Sequence, residues 1–573
     1  MSSEIQQIVD SNDNPHNDNT KKNDKHSNND STDHSNGDKK EHKKEDGWKG
    51  TLTSVLCYPL RPATRSEKKK DKTVDIKSEH RGDNEANPSK PEDAAKSQFL
   101  ARLEKLREEQ KHCLSSFILL PENAVVKKRL LVYLWIGEGF LDKKTEEKTL
   151  EDSATEILDK FMNESFILPV KNNCNKVEKS FKMRQDVHSW MTSVLSPEAK
   201  CLDSISDGKV FPWFHDELYL LKKSEPLQLV QNQEKVKTLF NVSKGSLAFK
   251  LESFTKMKNA KILYLGRWQS SAERHHIEVA DSEFMKGLKN MENLRFLSLQ
   301  GISGIQELPG RSISSLGNLR ILDLRACYNL EKLPKEIALL KELTHLDISE
   351  CYLLDCMPRE LLSLSKLQVL KGFVITDTKN SNFCTLAELA GLEKLTKLSV
   401  NLNSENFSID NFSAVFKFGK LQKLKITWGG KFSKVSRNKK SQQENKKPKD
   451  TNVEGSSKTL EKLELQCLPL KTLPKWVHPN NLGPLKKLYI RGGGIKTLSR
   501  TQEGNQKWAV ETLRLKYLNE FNMNWIELMA LFPKLQNFEK FKCPKLTLCP
   551  CDCTGVWIQP STKESTPLPQ TTS

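Results

Sequence analysis

Leucines recur through the second half of the chain as LxxLxL, a pattern that returns about every 25 residues. Clear copies start at Leu294, Leu319, Leu343, Leu395, Leu421, Leu460 and Leu485, and weaker ones at Leu367, Val510 and Leu535. Start-to-start spacings run 25, 24, 24, 28, 26, 39, 25, 25 and 25. A repeat of this length predicts one short strand and a return segment per unit, stacked into an α/β solenoid of short parallel strands. The motif leucines point into the core, and the residues between them line one exposed face. Along that face the pattern places Phe296, Ser298 and Gln300, then Ile321, Asp323 and Arg325, then His345, Asp347 and Ser349. Further on it places Lys397 and Ser399, Lys423 and Lys425, Lys462 and Glu464, Lys487, Tyr489 and Arg491, and finally Arg514 and Lys516. The long spacing contains a polar insertion, residues 431–458, on the return side of one unit.

Upstream, residues 97–195 change texture. Phe99, Leu103 and Leu106 fall on one helical face, and Leu150, Ala154, Ile157, Leu158 and Phe161 on another. Between them an apolar stretch is broken at Pro121-Glu122 and ends at Gly137–Gly139. FILPV and FKM bracket a polar loop and predict a two-strand wing. Helices followed by a wing are the plan of a small winged-helix domain. The expected division is a disordered polar tail over 1–96, the winged helix over 97–195, a connector over 196–240, repeats over 241–555, and a disordered tail over 556–573.

Composition sharpens this outline. With 36% hydrophobic and 29% charged residues in 573, the chain is lean for one globule, and the Asn-, Asp-, Ser- and Lys-rich N-terminus accounts for that. Residues 1–96 carry 18 Lys/Arg against 19 Asp/Glu, so the net charge of +18 lies elsewhere. Residues 431–458 carry nine against three, and the rest of the excess falls on the folded part, which argues for a basic surface rather than a basic arm. The first residues, MSSEIQQIVDSN, have neither the charged nor the apolar region of a signal peptide. No apolar run approaches membrane-spanning length. The expectation is a cytoplasmic protein without a disulfide framework, in which Arg437–Lys440 and Lys446–Lys449 offer a bipartite nuclear import pattern. Cys543, Cys549, Cys551 and Cys553 lack a usual zinc spacing, and the expectation is that they cap the last repeat. No nucleophile, base and carboxylate set stands out, so no enzyme, catalytic residue or metal site is expected.

One segment carries a resemblance. Cys113-Leu114, the Leu-Pro-Glu turn at Pro121 and Glu122, the basic pair Lys127-Lys128, and Trp135, Ile136, Glu138, Gly139 and Phe140 together resemble the winged-helix segment of plant coiled-coil NB-LRR disease resistance proteins, RPP13-like type. In that family leucine-rich repeats follow the winged helix, as they do here. The family also implies ADP or ATP, held by a P-loop and by the His of a Met-His-Asp motif. No GxxxxGK[ST] occurs in this sequence, and Met-His-Asp reads Met183, Arg184, Gln185. The resemblance therefore implies a truncated immune-receptor homologue without its own nucleotide motor or cofactor, acting by protein recognition. Its implied partners are a pathogen effector or guarded host protein, and a full-length NB-LRR receptor. The residues expected to bind a partner are Phe296, Lys423, Lys425, Lys487, Tyr489, Arg491, Arg514 and Lys516. Two other readings stand beside this one. A basic winged-helix protein could bind nucleic acid, although YLWIGEGFL suits protein packing better than a DNA groove. A Ras-group leucine-rich-repeat scaffold would need the repeats alone.

Overall fold

The computed structural model describes residues 91–141, 149–170, 180–195, 211–213, 216–221, 233–242, 251–268, 277–279, 282–375, 382–403, 409–429, 455–499 and 507–560. The polar N-terminus before these, the basic insertion with its import pattern, and the last residues lie outside them.

The first described unit is α1 (Pro91–Glu104), α2 (Glu108–Ser115), β1 (Val126–Lys127), α3 (Lys128–Glu138), α4 (Leu150–Asn163), β2 (Ile167–Pro169), β3 (Ser180–Met183) and α5 (Gln185–Leu195). Helix begins six residues before the expected boundary at 97, and the single amphipathic helix expected from Phe99 onward is two helices. The break has a local cause: the Arg107 backbone N–H donates to Gln110 Oε1 at 3.2 Å, which starts α2 afresh. Lys160 of α4 donates to the same oxygen at 3.0 Å. Thr149 and Asp152 cap α4 reciprocally, and Gly139, at φ +87°, closes α3 in the left-handed conformation. The expected wing is present as β2 and β3, antiparallel, with β1 added on the other side of β3. Phe99, Trp135, Phe161 and Phe166 fill the centre, and the Trp135 indole N–H donates to Ser116 Oγ at 2.6 Å.

The repeats form one sheet in sequence order. It runs β4 (Phe211–Trp213), β5 (Asp216–Leu221), β6 (Val236–Asn241), β7 (Ile262–Tyr264), β8 (Phe296–Ser298), β9 (Ile321–Asp323), β10 (His345–Asp347), β11 (Val369–Ile375), β12 (Lys397–Leu402), β13 (Lys423–Trp428), β14 (Lys462–Leu468), β15 (Lys487–Gly493), β16 (Thr512–Lys516), β17 (Asn537–Phe541) and β18 (Val556–Ile558). Strands β5 to β17 are parallel; β4 and β18 pair antiparallel at the two ends. The sheet therefore starts inside the expected connector, and Val556–Ile558, expected to be tail, covers the last edge. Both stretches lack LxxLxL, which is why the repeat pattern did not announce them.

The motif leucines, Leu294, Leu297 and Leu299 and their equivalents, are fully buried in one continuous core. Small thiols join neighbouring units: Cys327, Cys351 and Cys543 Sγ donate to the carbonyls of Leu299, Leu324 and Leu515 at 3.2, 3.2 and 3.4 Å. Burial pushes the Cys351 thiol up to about 12 and raises that of Cys543. Cys549 and Cys551 pack partly buried against the end of the core, and no cluster of three metal-ligating side chains occurs among the described residues.

Candidate functional site

Register turns the inner face of the sheet into rows running across the strands. One row reads Ile262, Phe296, Ile321, His345, Val369, Lys397, Lys423, Lys462, Lys487, and the next reads Tyr264, Ser298, Asp323, Asp347, Lys371, Ser399, Lys425, Glu464, Tyr489, Arg514, Glu539. The chemistry changes along these rows. Up to β11 the first row is apolar apart from His345; from β12 it is lysine on four successive strands.

The apolar half is covered by the chain's own winged helix. Helix α3 lies over it through positions 129, 133 and 137, one helical face at successive turns. Arg129 Nη1 donates to Asp347 Oδ2 at 2.7 Å and Nη2 to Gln300 Oε1 at 2.8 Å, with Asp323 Oδ2 at 3.9 Å. Tyr133 meets Phe296 and His345 edge-on, with ring centres 5.9 and 5.3 Å away, and its hydroxyl accepts from Lys371 Nζ at 3.2 Å. At Gly137 a Cβ would stand 2.8 Å from Phe296 Cβ and 3.2 Å from Ile262, so only glycine permits this approach. Glu138 accepts from Thr238 Oγ1 at 2.6 Å. Helix α4 adds Glu151, which pairs with Lys397 and lies 3.5 Å from His345 Nε2.

The electrostatics of this contact are those of a dry, paired cluster. Asp347 is 1% exposed, and Lys371 and Arg129 hold it below the usual carboxylate range against the cost of burial. Burial and the Lys371 charge pull His345 down to about 3, so it is neutral at pH 7. At the rim, burial together with Arg325 and Arg129 lowers Lys127 to about 8.

Sequence reasoning had placed Phe296 among residues open to a partner. That needs correcting: its side chain is fully buried under Tyr133, Gly137 and Tyr264 and belongs to the same hydrophobic cluster as the winged-helix core. Nothing in LxxLxL says which part of the inner face an upstream domain will occupy. For the same reason Arg129, Tyr133 and Glu151 were not singled out.

The other seven expected residues share the uncovered half. Lys423 is exposed, and Lys425 and Lys487 are half-exposed; none of the three makes a hydrogen bond or ion pair among the described residues. Tyr489 is half-buried, with Lys462 Nζ 4.4 Å and Arg514 Cζ 4.5 Å from its ring centre. Arg491 lies over Tyr517 at 5.1 Å. Arg514 and Lys516 are held by the buried Glu539, at 2.9 and 2.5 Å. Lys462 pairs with Glu464 at 3.2 Å and Lys397 with Glu151, so the cationic excess of this half rests on Lys423, Lys425 and Lys487.

The likeness to known proteins follows the same two units. A model described as the disease resistance protein winged helix domain matches residues 119–190, and one described as a leucine-rich repeat region matches residues 241–501. Disease resistance RPP13-like protein 4 of Arabidopsis thaliana is 26% identical over 466 residues, 78% of this chain and 51% of that protein. Disease resistance protein RPS5 of the same plant is 26% identical over 254 residues, 41% of this chain and 28% of that protein. Among solved structures, a leucine-rich-repeat protein of Leptospira interrogans is similar at 19% identity and TM-score 0.32, over 53% of this chain and 72% of that one. The chain spans about half the length of the first of these relatives. These relatives do not favour the nucleic-acid or Ras-group readings. Over the residues compared, the chain is a homologue of plant disease resistance proteins, matching their winged-helix domain and, after it, a leucine-rich repeat region.

Proposed function

We propose that this chain serves plant disease resistance as a recognition module: the open basic half of its inner face binds a protein partner, a pathogen effector or the host protein such an effector targets. The observation that carries this reading is the division of one face into a half its own winged helix covers and a half that presents unpaired lysines. A solenoid face of this kind supplies area and charge complementarity rather than a reacting group, so the module works without catalysis. A complete receptor of the same family is a further partner on this reading. The module acts in the cytoplasm, and the basic clusters of residues 431–458 give it a route to the nucleus. Among the described residues no helix is long and apolar enough to cross a membrane.

On this reading recognition needs no nucleotide bound by these residues. Arg184, at the position of the family's phosphate-contacting His, is turned onto Asp186 through both ends of its guanidinium. The Asp186 carboxylate in turn accepts the Val187 backbone N–H at 2.9 Å. A side chain so engaged does not fit the role of a free phosphate ligand for ADP or ATP.

The test is proximity labelling in leaf tissue with the chain and its Lys423→Glu, Lys425→Glu, Lys487→Glu variant. A distinct set of neighbours should vanish with charge reversal while the melting temperature holds. An unchanged set would mean that these lysines only keep the solenoid soluble.

A further inference from the structure

Resting on that reading, we propose that the open half of the inner face receives an acidic amphipathic helix from its protein partner, seated beside α3 on the same sheet. Three features of the molecule lead there.

The first is the lysine row itself. Lys397, Lys423, Lys462 and Lys487 stand in register on adjacent strands, about 4.8 Å apart at the backbone. Like charges set side by side repel, and the Lys423 charge, after burial, presses the Lys397 ammonium downward. At Lys397 the molecule shows how such a position is satisfied: a carboxylate in the first turn of a helix, Glu151, is set against it. Further along, Lys462 is set against Glu464 of its own strand at 3.2 Å, whereas Lys423 and Lys487 have no such carboxylate among the described residues.

The second is dimension. Carboxylates one turn apart on a helix recur at about 5.4 Å, close to the spacing of the row, whereas same-side residues of an extended peptide recur at about 6.7 Å. Over three positions a helix drifts from the lysines by about 1 Å and an extended chain by about 4 Å. The covered half of the face already takes a helix through one residue per turn, Arg129, Tyr133 and Gly137.

The third bears on the rival polyanion. A groove for single-stranded nucleic acid offers aromatic faces on which bases stack. Here Tyr489 carries Lys462 and Arg514 over its ring, and Tyr517 carries Arg491 and Lys542. The rings are engaged by the protein's own cations, which leaves charge rather than stacking surface for the partner.

The experiment uses the purified full chain and fluorescence anisotropy at physiological salt. One probe is a labelled, alanine-rich helix of about 18 residues with glutamates at i, i+4, i+7 and i+11, on one face. A second has the same composition with its glutamates spread round the helix, and a third is a single-stranded DNA of matching charge. The one-faced helix should bind about tenfold tighter than the other two, a difference of about 1.4 kcal/mol. Lys423→Glu with Lys487→Glu should weaken it by at least about tenfold, while Lys394→Glu with Lys534→Glu, outside the strand rows, should not. Equal binding of all three probes, still abolished by the Lys423 and Lys487 reversals, would overturn the helix and leave recognition through this half standing. Binding that ignores those reversals would sink both.

Discussion

At the scale of the residue, Arg129 and Asp347 decide how the winged helix is held. Asp347 is 1% exposed and Asp323 3% exposed at their side chains, and Arg129 is the cation the winged helix inserts between them. A buried ion pair is not strongly stabilising by itself, because desolvation offsets most of the attraction; removing one member is costly because the other stays buried and unpaired. Lys371 remains 3.1 Å from Asp347 and softens that loss. Arg129→Ala should therefore cost about 3 kcal/mol, the low end for such a truncation, measured by urea unfolding of the winged-helix signal. A cost under about 0.5 kcal/mol, the range of an ordinary surface substitution, would mean that Lys371 alone balances Asp347. The repeat motif assigned Asp323 and Asp347 to the inner face correctly from the sequence. Their counter-charge was hidden, because Arg129 lies some two hundred residues upstream and no local pattern links the two.

At the scale of the element, α3 and β10 meet at a group that cannot easily take a proton. His345 is enclosed by Tyr133, Glu151, Asp347 and Lys371, with its Nδ1 2.8 Å from Thr344 Oγ1. Its folded pKa of about 3 lies below the ordinary 6.5. Between those values the unfolded chain binds the proton and the folded chain does not, so stability falls as pH drops from 6.5 toward 3, by up to about 1.4 kcal/mol per pH unit. Asp347, also held low, adds its own loss only below the ordinary carboxylate range. The check is unfolding free energy against pH from 7 to 4: the native chain should slope and His345→Gln should run nearly flat. Equal slopes would show that Glu151 holds the imidazolium in the folded state. Elements with a strong period were legible in advance, including the repeat strands from β8 onward, α4 and the wing. The strands before the repeats and the closing β18 were not, because a strand of three to six residues without LxxLxL carries too few positions to show a period.

At the scale of the whole molecule, the question is how far a disturbance at the winged helix travels. In a stacked repeat each unit contacts its neighbours, and stability is close to a sum of local terms. The covered and open halves of the inner face share one hydrophobic spine, yet the winged helix itself bears on β6 to β12. Gly137→Ala isolates that contact. In a helix considered alone, alanine would stabilise by about 1 kcal/mol over glycine. In this molecule the added Cβ meets Phe296 Cβ at 2.8 Å, where both backbones are fixed by regular structure and neither side chain can swing away. The clash should outweigh the propensity and lift α3 from the sheet. Amide hydrogen exchange should then quicken in α3 and in β7 to β10, while β13 to β17 exchange as before. If α3 keeps its protection, the sheet yields at Phe296 and the close approach is not a constraint. If β13 to β17 quicken equally, the winged helix and all the repeats open as one unit, and a ligand on the lysine row would be felt at α3. The local outcome follows from the contacts, because among the described residues the winged helix is ion-paired to the first strand of the lysine row through Glu151 and Lys397.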